Sequence, residues 1–63
     1  MNILYESIMG ITGVKYEEEM FLITKTNNLW KVEQVVGPND DLKYIGTVIS
    51  KNLAAELIIA YCK

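Results

Sequence analysis

Two runs of strand-forming residues, Met20 to Thr26 (MFLITKT) and Leu29 to Val36 (LWKVEQVV), are separated only by Asn27-Asn28. That junction constrains the fold more than any other feature of the chain. β-Branched and aromatic side chains suit a pleated, half-buried surface. Asparagine tolerates the positive φ that a two-residue type I′ hairpin turn requires at both central positions. A turn there sets the register: Thr26 faces Leu29, Lys25 faces Trp30, Ile23 faces Val32 and Phe21 faces Gln34. Side chains alternate along a strand, so Phe21, Ile23, Trp30, Val32 and Val36 share one face. Met20, Leu22, Thr24, Leu29, Lys31, Glu33 and Val35 share the other.

The chain beyond the hairpin continues the same logic. Gly37-Pro38-Asn39-Asp40-Asp41 is a loop by its turn chemistry, and a third strand is expected from Leu42 to Ile49. Pairing Val36 with Leu42 places Tyr44, Gly46 and Val48 on the Phe21/Trp30 face. Gly46 then lies opposite Val32 and leaves room for a close approach. Ser50 has the chemistry of an N-cap, and Lys51 to Lys63 reads as a helix. Its inward stripe is expected to be Leu53, Ala54, Leu57, Ala60 and Tyr61, with Asn52, Glu56, Ile59 and Lys63 opposite. The N-terminal stretch fits both periods. Gly10 and Gly13 end whichever element forms there, and Ile8 to Tyr16 is poor in helix formers, which favours a strand. Glu17 to Glu19 fall at or before the start of the Met20 strand. The expected fold is a single α+β domain over residues 1–63: an antiparallel meander of three to four strands, with a C-terminal helix packed on one face.

Composition limits how such a fold can be held together. A chain of 63 residues buries a modest share of its surface, and many chains of this size add a staple. This one has a single cysteine, Cys62, and no histidine, which excludes an intrachain disulfide and a zinc site of the usual nitrogen–sulfur type. The core must be apolar, and the hydrophobic fraction of 51% supplies the material. The net charge is −2 and all six basic residues are lysine; the pI is about 4.9. Nucleic-acid binding favours a basic patch and arginine, so this balance argues against it. No apolar run reaches the length of a membrane span, and the N-terminal residues lack the basic region of a signal peptide. A lone thiol fits a reducing compartment, so a cytoplasmic location is expected.

Residues that could carry chemistry are few. Without histidine there is no Ser-His or Cys-His nucleophile, and Cys62 at the end of a helix sits where the dipole raises a thiol pKa. Glu17-Glu18-Glu19 and Asp40-Asp41 lack the spacing of a calcium loop and read as solvated charge runs. They are kept as secondary, acidic candidates for contact with a protein. Gly10-Ile11-Thr12-Gly13 is followed by no Gly-Lys-Ser/Thr and is no phosphate loop. The expectation is a non-enzymatic chain without a cofactor or metal.

The stretch Tyr44 to Ala55 (YIGTVISKNLAA) resembles the last strand and the start of the last helix of the double-stranded RNA-binding domain. The resemblance implies a helix before three strands and a closing helix. It also implies lysines gripping phosphate at the start of that helix, where this chain has only Lys51, followed by Asn52 and Leu53. A nucleic-acid-binding module would use Lys25, Lys31, Lys43 and Lys51 with Trp30 and Tyr44.

Surplus apolar surface points elsewhere. One sheet face suffices to hold one helix, which leaves a second face carrying Leu22, Leu29, Val35, Ile45 and Ile49 among charged neighbours. Contiguous apolar surface marks interaction sites, unless residues Met1 to Tyr16 fold over it. The expected function is stoichiometric binding to a larger protein as an inhibitor or modulator, of the kind viruses and mobile elements encode, acting in the host cytoplasm if so. The residues expected to carry it are Leu22, Leu29, Lys31, Glu33, Ile45 and Ile49. A homo-dimer, or a homo-oligomeric structural role, is the alternative partner arrangement. Trp30 is expected in the core.

Overall fold

A computed structural model describes the backbone of residues 2–6, together with residues 10–39 and 41–63 in full. Its elements are β1 (Asn2–Glu6), β2 (Ile11–Tyr16), β3 (Glu19–Thr26), β4 (Leu29–Val36), β5 (Asp41–Val48) and α1 (Lys51–Tyr61). The strands form one antiparallel sheet in chain order, β1-β2-β3-β4-β5. β2 to β5 make the expected meander, α1 packs on one side of it, and β1 adds a further strand at the edge. Asn2–Glu6 and Ile11–Tyr16 therefore extend the sheet. They do not lie over its second face, and the helix-first order implied by the RNA-binding resemblance is absent at Asn2–Glu6. Gly13 lies inside β2, opposite Leu22, and does not end an element.

The central hairpin has the expected register, with Thr26 opposite Leu29, Lys25 opposite Trp30, Ile23 opposite Val32 and Phe21 opposite Gln34. Its turn differs in kind. Asn27 has φ 59°, whereas Asn28 is not among the residues with positive φ. Positive φ at the first central residue alone is the mark of a type II′ turn, which matches strand twist as type I′ does. Both positions are positive instead at the β2–β3 turn, where Glu17 has φ 54° and Glu18 has φ 67°. Glutamate is an unusual occupant there, because a left-handed backbone costs an L side chain roughly 1–2 kcal/mol.

The β4–β5 pairing departs from expectation in one step. Val36 pairs with Asp41, Val35 with Leu42, Gln34 with Lys43 and Glu33 with Tyr44, after which the register shifts and Val32 pairs with Gly46. Ile45 is the extra residue of a β-bulge. Gly46 and Val48 thus stand where the sequence places them, opposite Val32 and Trp30. Tyr44 moves to the opposite face and Lys43 replaces it on the helix side. Ile45 turns toward the core cluster, against which it packs.

The core lies between the sheet and α1. Val14, Phe21, Ile23, Val32, Ala54 and Ile58 are fully buried, each large side chain contributing roughly 1.5–3 kcal/mol of apolar burial. Tyr16, Trp30, Ile45, Val48, Leu57 and Cys62 pack around them. The helix stripe is rotated from the expected one: Ala54 and Ile58 are its centre, while Leu53, Ala60 and Tyr61 are exposed. Apolar residues surround most of this helix, so periodicity alone does not select the buried line. Ser50 caps α1 as expected, its hydroxyl oxygen accepting the Leu53 amide at 3.1 Å. Trp30 is half-buried, with Lys25 and Lys51 ammonium groups 5.6 and 6.0 Å from its ring centroid.

One polar bridge crosses this layer. Gln34, 8% exposed, donates from Nε2 to Glu19 Oε2 at 2.8 Å and accepts at Oε1 from the Tyr61 hydroxyl at 2.9 Å. The Tyr61 ring stands edge-on to Phe21, 6.2 Å between centroids. The bridge satisfies the buried amide and ties the end of α1 to β3 and β4.

Two stability outcomes are expected. Glu18→Gly relieves the left-handed strain at the β2–β3 turn and should raise stability by about 1 kcal/mol, seen as a higher thermal midpoint; an unchanged midpoint would mean that no strain is held there. A Cβ added at Gly46 would stand 2.9 Å from Leu57 Cδ2. Gly46→Ala should therefore cost about 1 kcal/mol and Gly46→Val roughly 2–3 kcal/mol in urea titrations, in that order.

Candidate functional site

Alternation along β3, β4 and β5 builds the face turned away from α1, here called the outer face. The ladders align its side chains in rows across the sheet. One row is Met20, Val35 and Leu42, the next Leu22, Glu33 and Tyr44, the next Thr24, Lys31 and Thr47. Thr26 and Leu29 end the face. Leu29 is 44% exposed, Leu42 49% and Tyr44 59%. Met20 is also exposed, and Leu22 and Val35 are half-buried. No element packs on this face among the described residues, since α1 makes its contacts from the other side.

Charge is sparse here and internally matched. Lys31 Nζ lies 3.7 Å from Glu33 Oε1, two residues along the same strand. The Tyr44 and Thr47 hydroxyls share a hydrogen bond of 2.6 Å. Beside the ion pair, Thr26, Asn27, Leu29, Lys31 and Thr47 line an open depression of about 250 Å³. The relief is therefore uneven: an exposed apolar row at one end, a hollow at the other.

Of the residues expected to bind a partner, Leu22, Leu29, Lys31 and Glu33 come together on this face. Ile49 lies one residue past β5 and is 73% exposed; continuing the register puts it opposite Leu29. Ile45 does not belong, because the bulge turns it to the core side. Leu42 and Tyr44 take part instead and were missed. The signal for them was the isolated glycine at position 46, since a glycine within a strand pattern often marks a bulge. The same bulge, on an edge strand, blunts the β5 edge for pairing with another strand.

The acidic candidates form a separate feature. Glu17, Glu18, Glu19 and Asp41 are exposed, and Asp40 lies outside the described residues. Glu18 Oε2 is 3.8 Å from Lys15 Nζ. Glu17 and Glu19 join Gln34, Tyr61 and Cys62 around an open polar groove of about 500 Å³ at the end of α1. Burial pushes the Cys62 thiol pKa up from its ordinary value, and the charges of Glu19 and then Glu17 push it further. That is the opposite of what a nucleophile needs. Among the described residues, no three acids or thiols converge on a point that could hold a metal ion.

The lysines that a nucleic-acid interface would use are scattered. Lys25 and Lys51 flank Trp30 at one end of the helix side. Lys43 lies over Tyr61 at the other end, and Lys31 is on the outer face, paired with Glu33. They form no continuous track for a phosphate backbone. No helix among the described residues is long and apolar enough to cross a membrane.

The acidic groove makes a measurable claim about Cys62. Glu17→Gln should lower the pH midpoint of Cys62 alkylation, because one of the charges opposing thiolate formation is gone. A midpoint that stays in place would mean that solvent screens Glu17 from the thiol. Comparison with known protein families, curated proteins and solved structures shows no match to this chain.

Proposed function

We propose that this protein is a non-catalytic protein-binding module that docks through its outer sheet face. The observation that carries the reading is the apolar row Met20–Val35–Leu42, continuous with Leu22 and Tyr44 and covered by no element among the described residues. Scattered apolar residues are ordinary on a protein surface; aligned rows across three strands are a docking surface. A module of this kind acts in stoichiometric amount, so its effect on a target is inhibition or modulation. The absence of histidine from the sequence and the suppressed thiolate of Cys62 agree with a non-catalytic role.

Leu22→Lys and Leu42→Lys test the reading. Each side chain is at least partly open to solvent, so both variants should keep native circular dichroism. Binding to a protein partner should fall by roughly thirtyfold where an anchor is removed. Ile45→Asp is the contrast: it places a charge against the core and should unfold the chain. If the two lysine variants bind as the wild type does, the outer face is not the docking surface. If the purified protein instead retains nucleic acid, lost with rising salt and with Lys25 and Lys51 substitutions, the reading fails in favour of the basic residues around Trp30.

A further inference from the structure

We propose that the partner fitting this face is a second copy of the same chain, packed sheet against sheet about a two-fold axis that runs across the strands. The inference rests on the docking reading above and names its occupant. Along β4 the outer side chains read Leu29, Lys31, Glu33 and Val35, apolar at both ends with a cation and an anion between. Reversing that order against itself sets Lys31 of one copy on Glu33 of the other, twice, and Leu29 of one on Val35 of the other, twice. The surface is thus complementary to its own reverse, which is what an isologous two-fold interface demands.

Relief agrees with charge. The axis passes between the Leu22–Glu33–Tyr44 row and the Thr24–Lys31–Thr47 row. It carries the exposed Met20–Val35–Leu42 row of each copy onto the Leu29 end of the other, where the depression of about 250 Å³ lies. Tyr44 meets Thr47 and Leu22 meets Thr24. An axis running along β4 would instead set Lys31 on Lys31 and Glu33 on Glu33, and like-charge juxtaposition rejects it. The crossed arrangement keeps strand directions near alignment, as twisted sheets packed face to face prefer. It leaves each carboxylate with an ammonium group from its own chain, at 3.7 Å, and another from the second copy.

The experiment is sedimentation equilibrium of the full chain from nanomolar to millimolar concentration, with folding checked by circular dichroism. The wild type should dimerise. Lys31→Glu and Glu33→Lys should each weaken the dimer by roughly a hundredfold or more, since four like charges then meet at the seam. Mixing the two single variants should restore a dimer containing one of each, because opposite charges again face one another. Leu42→Lys, at a position 49% exposed, should weaken the dimer without a charge swap and stands in for either swap if that variant does not fold. A wild type that stays monomeric at every concentration overturns the inference. The docking reading survives that result if a different protein is bound and lost on Leu22→Lys, and falls with it if none is. Dimers of undiminished affinity in the charge variants, or in Leu42→Lys, would also overturn it, because the seam would then lie elsewhere.

Discussion

A sheet has two faces, and the described residues supply one short helix to cover them. Everything else in the structure follows from where that helix goes. A helix of eleven residues is roughly 16 Å long and 10 Å across, enough to cover part of one face and none of the other. It lies where Ala54 lets the backbone come close and Ile58 reaches into the Phe21, Ile23 and Val32 layer. With no disulfide and no histidine available, that apolar layer is the main source of stability. The Gln34 bridge then fixes the angle of the helix, since Tyr61 reaches the same amide that holds Glu19. The uncovered face is the counterpart of the same choice.

Much of the fold was legible because the strongest local signals agreed with the tertiary result. The Asn27-Asn28 junction set a register that the ladder reproduces from Thr26 and Leu29 to Phe21 and Gln34. Ser50 was identifiable as a cap from chemistry alone. Gly46 was placed opposite Val32, where Leu57 fills the room that a missing Cβ leaves. The unreadable parts were those where several side chains could do the same work. Leu53, Leu57, Ile58 and Ile59 all suit an inward position, and only packing against the sheet selected Ile58. At the central turn two asparagines permit either type I′ or type II′, and the flanking strand twist accepts both.

The outer face was partly legible, for a reason that lies in β5. A strict two-residue period carries every position after Asp41 to a definite face, and one inserted residue inverts half of them. Ile45 is that residue. Pairing Val36 with Leu42, where the structure pairs it with Asp41, puts Leu42 and Tyr44 on the wrong side, and the bulge at Ile45 brings Gly46 and Val48 back to the expected one. Leu22, Leu29, Lys31 and Glu33 lie on β3 and β4, whose register no bulge interrupts, and they were assigned correctly. The chemistry of the face was visible in the sequence; its outline depended on a backbone irregularity hinted at only by a glycine.

The chain-order meander also governs how the molecule can be assembled. Each strand pairs with the one before it, so each sheet contact closes a short loop and little entropy is lost at any one step. Topologies rich in such local contacts reach the native state quickly. The helix is the exception, because it touches β5, β4 and β3 and has no seat until all three are paired. Before it docks, both sides of the growing sheet are open and apolar, and nothing but sequence pattern distinguishes them. Helix docking is therefore the event that makes the two faces different. It withdraws one from further association, while the other stays uncovered among the described residues.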